Sequence, residues 1–205
     1  MMKYLVLKKI IQKIETNEKY CLFLIIKQNS KFTIFSLRLD SCENFESQNY
    51  GKKDILTLDN LLEYFCSDEN LEKGNEWYCN KCKKRVTVTK RFSIFFVPKL
   101  LIICLNRFYK EGNSYYGKNS EFIDFPLNNL DMGKYVCGPD KDYSKYDLFA
   151  VSQHYGGTGG GHYTAVCKNI DGNWYDYNDS TCSPSSSNHV VSSSAYVLFY
   201  RKRNW

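Results

Sequence analysis

The chain has 205 residues, with 28 Lys+Arg against 22 Asp+Glu, 43% hydrophobic and 16% aromatic. Seventeen Tyr and 13 Phe exclude general disorder, and four Pro with 12 Gly exclude collagen-like and Pro-rich linker classes. A net charge of +6 admits an acidic partner without requiring one.

Residues 1–19 are Lys-rich with apolar Ile10, Ile11 and Ile14, which predicts a short helix. Residues 1–9 alternate Lys with apolar residues, and no small-residue cleavage site follows, so no secretory signal is expected. The nine cysteines therefore read as reduced thiols of a cytoplasmic and/or nuclear protein. Residues 21–26 and 31–39 predict two strands separated by Gln28-Asn29-Ser30, and residues 40–53 predict a polar loop. Leu58, Leu61, Leu62 and Phe65 fall at i, i+3, i+4 and i+7, one face of a helix that Thr57 or Asp59 can start.

From Thr87 the period changes to two. Val86, Val88, Phe92, Ile94 and Phe96 alternate, and Leu100-Leu101-Ile102-Ile103-Cys104-Leu105 reads as a buried strand. This apolar stretch is broken by Pro98 and Lys99 and is too short for a bilayer, so no membrane partner is expected. Further strands are predicted over 146–151, 162–168, 173–177 and 195–201. The expected class is α+β: one short helical region, then a β-rich body. The division is 1–53, an N-terminal strand and loop segment, and 54–205, the main unit.

Cys79-Asn80-Lys81-Cys82 is a Cys-x-x-Cys that can bite one Zn²⁺, but a structural zinc wants four ligands and no second pair exists. The metal reading of Cys79 and Cys82 is thus a half site, and the other reading is two inert thiols. Lys81, Lys83, Lys84, Arg85, Lys90 and Arg91 form a basic run. No aromatic stacking residues are interleaved, so a solvated ribbon face is expected there and no nucleic-acid partner.

His154-Tyr155-Gly156-Gly157-Thr158-Gly159-Gly160-Gly161-His162 is the most informative stretch. Five glycines in six positions predict a mobile backbone that a ligand can approach closely. No helix follows, which excludes a phosphate-cradling loop. Instead His162 opens a strand, a position suited to general acid–base work or to a merely packed ring. Downstream, Asn169-Ile170-Asp171-Gly172-Asn173 signals a hairpin. A three-residue loop with Gly172 in the left-handed position pairs 169 with 173. Asn178 then lies opposite Thr164, on the face of His162 and diagonal to it, while Asp179 points to the other face. A two-residue Asp-Gly turn would exchange the two roles.

These stretches resemble the C-terminal part of the ubiquitin-specific proteases, the papain-like cysteine deubiquitinases. The markers are Trp77-Tyr78-Cys79-Asn80-Lys81-Cys82, Leu105-Asn106-Arg107-Phe108, Phe125-Pro126-Leu127, Gly160-Gly161-His162-Tyr163-Thr164-Ala165, residues 174–180 and Ala195-Tyr196-Val197-Leu198-Phe199-Tyr200. Leu130-Asp131-Met132 adds a likeness to the subgroup with a ubiquitin-like insertion. The resemblance implies the β-rich palm and fingers half of a thiol-protease domain, with ubiquitin and ubiquitinated proteins as partners. It implies that His162 is the general base, Asn178 the third triad member and Asp179 the reserve. Gly159, Gly160 and Gly161, with His154, match a loop over the ubiquitin tail. No cofactor is implied for catalysis, and the half site at Cys79 and Cys82 is what remains of a zinc ribbon.

The departure is the nucleophile, which in this family sits in an N-terminal Gly-Asn-Thr-Cys turn opening a helix. Nothing here matches it. Cys21, Cys104 and Cys167 lie in apolar strands, Cys66 ends a helix, and Cys42 and Cys182 start none. Cys182, four residues after Asn178, is the one tempting substitute. The expectation is that the chain begins inside the catalytic domain and needs a separate N-terminal half. A ubiquitin-binding pseudo-protease and a zinc-ribbon nucleic-acid binder are the alternatives.

Overall fold

The computed structural model describes residues 14–16, 19–26, 32–38, 55–71, 73–111, 115–139 and 141–203. Among the described residues, sixteen strands and one α-helix follow in chain order. They are β1 (Ile14–Thr16), β2 (Lys19–Ile26), β3 (Phe32–Arg38), α1 (Leu58–Phe65), β4 (Asp68–Leu71), β5 (Trp77–Cys79), β6 (Lys84–Val86) and β7 (Val88–Ile94). After these come β8 (Leu100–Asn106), β9 (Phe108–Glu111), β10 (Tyr115–Lys118), β11 (Leu130–Asp131) and β12 (Lys145–Gly157). The last four are β13 (Gly160–Lys168), β14 (Trp174–Asn178), β15 (Thr181–Ser185) and β16 (Ala195–Lys202). The α+β expectation holds, with the balance far on the strand side.

The main sheet runs β15-β14-β13-β12-β16-β8-β3, with β11 also pairing β12. All its ladders are antiparallel except β3 with β8. A second sheet orders β1-β2-β7-β4, in which β2 runs parallel to β7. β5–β6 and β9–β10 are separate hairpins. The strands expected at 21–26 and 31–39 exist, but they enter different sheets. The helix expected over residues 1–19 lies mostly outside the described residues, and Ile14, placed on its apolar face, stands in β1.

Helix α1 forms where its apolar spacing predicts, and Thr57 rather than Asp59 caps it. The Asn60 N–H donates to Thr57 Oγ1 at 3.1 Å and the Thr57 N–H donates to Asn60 Oδ1 at 3.0 Å, a reciprocal box with Asn in the usual Glu position. Leu58, Leu61 and Leu62 are buried and join Leu101, Ile103 and Leu105 of β8 in one core. Each such side chain contributes about 1.5–3 kcal/mol on burial. β8 buries its odd residues, while Ile102 and Cys104 are half-covered on the opposite face. Among the described residues no helix is long and apolar enough to cross a membrane.

The basic run lies on β6, β7 and the β5–β6 turn. Lys90 pairs with Glu69 at 2.6 Å and Arg91 with Asp68 at 3.7 Å across the β4–β7 ladder. Part of its charge is therefore answered within the sheet.

Candidate functional site

Three hairpin connections assemble the site. The first joins β13 to β14. Ala165 pairs with Tyr177, Val166 with Asp176, Cys167 with Tyr175 and Lys168 with Trp174. Gly172 adopts φ +84, and the Asn169 N–H donates to the Asn173 carbonyl at 2.9 Å. This is the three-residue loop, and its register puts His162, Thr164, Asp176 and Asn178 on one face.

The consequence is a direct contact: His162 Nε2 lies 2.6 Å from Asn178 Oδ1. A carboxamide oxygen only accepts, so Nε2 carries the ring proton and Nδ1 carries the lone pair. The imidazole is half-exposed.

The second connection corrects an expectation. β14 ends at Asn178, which pairs with Thr181 of β15 across the two-residue turn Asp179-Ser180. Asp179 takes φ +48, so strand alternation stops there and its side chain does not cross to the far face. Its Oδ2 stands 4.0 Å from the same His162 Nε2, with the side chain 82% exposed. Asn178 is thus the close partner and Asp179 an outlying charge. β15 itself went unforeseen because Thr181-Cys182-Ser183-Pro184-Ser185 has the composition of a loop.

The third connection is the glycine stretch. It forms the tip of a hairpin, with Gly156 paired to Gly161, Gly157 to Gly160, and only Thr158-Gly159 turning. Gly160 and Gly161 are strand residues of β13, and His162 lies inside the strand opposite Tyr155. A Cβ on Gly161 would sit 2.3 Å from the Tyr155 carbonyl oxygen and 2.4 Å from His154 Nε2, so only glycine fits. His154 is buried beneath the hairpin rather than on its surface. Its ring packs 4.6 Å from Tyr163 and 5.3 Å from Phe108, and burial lowers its pKa, with Lys118 adding to the effect. His154 therefore supports the hairpin instead of lining it. Beside it in sequence, the buried Gln153 accepts through Oε1 from Tyr155 Oη at 2.9 Å and from Thr164 Oγ1 at 3.2 Å, a half-buried network that no motif signalled.

The single described α-helix opens at Leu58, so no described thiol sits at a helix N-terminus. Burial pushes Cys66 up to about 11 and also raises Cys104 and Cys167. Cys182 pairs with Tyr177 and so shares its face, opposite to that of Asn178 and His162. Cys79 ends β5 and Cys82 lies in the β5–β6 turn, where the Lys83 N–H donates to the Cys79 carbonyl at 2.8 Å. Among the described residues no group of three or more metal-ligating side chains forms, and a closed four-ligand zinc site would need ligands beyond this pair.

With this geometry in hand, the comparisons are specific. The model of the family "Ubiquitin carboxyl-terminal hydrolase" matches residues 8–200. Human "Ubiquitin carboxyl-terminal hydrolase 15" is 40% identical over 165 residues, covering 79% of this chain and 17% of that protein. Bovine "Ubiquitin carboxyl-terminal hydrolase 4" is 41% identical over 155 residues, covering 75% and 16%. Among solved structures, a yeast SAGA DUB module aligns with TM-score 0.64 and 28% identity over 83% of this chain and 35% of that one. A SAGA Ubp8/Sgf11/Sus1/Sgf73 DUB module bound to ubiquitin aldehyde aligns with TM-score 0.62 and 29% identity over 83% and 36%. The chain thus spans about a sixth of the length of these curated relatives.

Proposed function

The chain belongs to the ubiquitin carboxyl-terminal hydrolase family, and from that premise we propose that it is the base-bearing part of a ubiquitin-specific thiol protease. The observation that carries this reading is the 2.6 Å contact between His162 Nε2 and Asn178 Oδ1. It supports the neutral tautomer in which Nδ1 accepts a thiol proton. The nucleophile comes from a separate N-terminal part of the domain. The thiolate attacks the carbonyl carbon of the ubiquitin C-terminal Gly, forming a thioester as the bond to the lysine amine breaks, and the His162 imidazolium gives its proton to that leaving amine. Water, deprotonated by Nδ1, then hydrolyses the thioester. Binding to ubiquitin is supported by the aligned module, which holds ubiquitin aldehyde.

The 205-residue chain alone is expected to show no turnover of a fluorogenic ubiquitin substrate, because a base without a positioned thiolate lacks the covalent step. Cys182→Ser is expected to change nothing, since that thiol faces away from His162. Turnover by the chain alone that disappears in Cys182→Ser would overturn both the face assignment and the division of labour.

Zinc is not required in this reading. With two thiolates and two positions left to water, metal held at Cys79 and Cys82 should leave on chelator dialysis. One equivalent of zinc surviving extended dialysis, measured by atomic absorption, would show that further ligands close the site.

A further inference from the structure

β12 outruns its neighbour β16. Their ladder ends at Gln153 with Ala195, after a register shift between Ser152 and Gln153. One more backbone bond, from the His154 N–H to the Ser194 carbonyl at 2.8 Å, closes that edge. Beyond it, the hairpin that carries His162 overhangs the sheet. Because the His154 N–H points away from β13, its carbonyl does too, and so does that of Gly156 two residues on. The His154 carbonyl is part-buried there and calls for a donor, while the Gly156 carbonyl is exposed.

Lys118, the last residue of β10, supplies it. Its Nζ donates to the His154 carbonyl at 2.7 Å and to the Gly156 carbonyl at 3.2 Å. Thr158 Oγ1 adds a bond to the Tyr116 carbonyl at 3.2 Å, joining the β9–β10 hairpin to the tip of the β12–β13 hairpin. Lys118 is itself held in place: Arg107 donates to the carbonyls of Asn119, at 3.1 Å, and Glu121, at 2.8 Å, just after it. Burial and the Arg107 guanidinium lower the Lys118 pKa, as expected of an ammonium drawn into the fold.

We propose that Lys118 is a positioning residue for His162, its ammonium standing in for the missing strand beside His154 and Gly156. The catalytic consequence rests on the deubiquitinase reading; the positioning itself does not. Two measurements on the 205-residue chain test it. In the antiparallel ladder Tyr155 and His162 form a mutually hydrogen-bonded pair, so their amide exchange reports opening of the overhang. Ring ¹⁵N shifts of His162 report its tautomer. Lys118→Met should speed exchange at Tyr155 and His162 at least about tenfold, as loss of a charged bridge to two carbonyls predicts, and leave Val151 and Val166 unchanged. The His162 ring should then lose its single Nε2–H form. Lys118→Arg, which keeps a charged donor, should restore both. Unchanged exchange in Lys118→Met would overturn the proposal. Faster exchange with an unaltered tautomer would overturn it too, since Lys118 would then serve the fold alone. Failure of the deubiquitinase reading would appear elsewhere, as absent ubiquitin turnover in a reassembled domain with Lys118 intact.

Discussion

In the complete domain, with the nucleophile-bearing part supplied, His162→Ala is expected to lower kcat/KM by about 10³-fold or more, because the thiol loses its proton acceptor. Asn178→Ala should cost less. It removes one hydrogen bond to a ring that becomes charged during the reaction, worth about 1.5–3 kcal/mol, or roughly ten- to a hundredfold. Asp179→Ala should cost least. Its carboxylate lies 4.0 Å from Nε2 and is 82% exposed, and exposed pairs of this kind contribute about 0–1 kcal/mol. The small Asp179 effect should shrink further as salt is raised, while the Asn178 effect should not, since screening acts on exposed charges and barely on a direct hydrogen bond. An Asp179→Ala loss larger than that of Asn178→Ala would mean that the carboxylate, not the carboxamide, holds the ring in the working state.

The second large effect is on folding. Arg107 is fully buried, and its guanidinium donates to the carbonyls of Ala195 at 2.7 Å, Asn119 at 3.1 Å and Glu121 at 2.8 Å. It thereby ties the end of β8 to the start of β16 and to the segment after β10. Arg107→Met keeps much of the volume and leaves three carbonyls short of a donor. A buried unsatisfied group costs about 1–3 kcal/mol, so a loss of about 3–5 kcal/mol is expected, against the relief of no longer burying a charge. Arg107→Lys should recover only part of it, because an ammonium cannot reproduce the planar fork. Urea unfolding followed by tryptophan fluorescence measures this through the midpoint at constant m. A midpoint unchanged in Arg107→Met would show that water satisfies those carbonyls equally well.

Both effects turn on features of unequal legibility. The parity of the β13–β14 hairpin was half-readable: Gly172 suits both a three-residue loop and a two-residue Asp-Gly turn, which narrows the face assignment to two, and the structure takes the first. The next turn was not, since a positive φ at Asp179 is adopted without a glycine to announce it. The apolar period of α1 was legible because one face meets the core, whereas the continuous apolar run of β8 gives no sign that only Leu101, Ile103 and Leu105 are fully buried. The glycine stretch misled in the other direction. Its composition signals a loop, yet most of it pairs as strand, and at Gly161 His154 and the Tyr155 carbonyl leave no room for a Cβ, whereas Gly157, Gly159 and Gly160 have open space around them. Lys118 and Arg107 carry no local signal at all, since both act on carbonyls distant in sequence and a carbonyl is the same in every residue.

The claim that this chain contributes the base and lacks the thiol is tested most directly by complementation. The chain is co-purified with the N-terminal part of a relative's catalytic domain, and turnover of a fluorogenic ubiquitin substrate is measured for each part and for the mixture. Activity in the mixture alone, lost when His162→Ala replaces the wild-type chain, is the expected result. Turnover that survives His162→Ala in the mixture would contradict it, because the proton acceptor would then lie elsewhere.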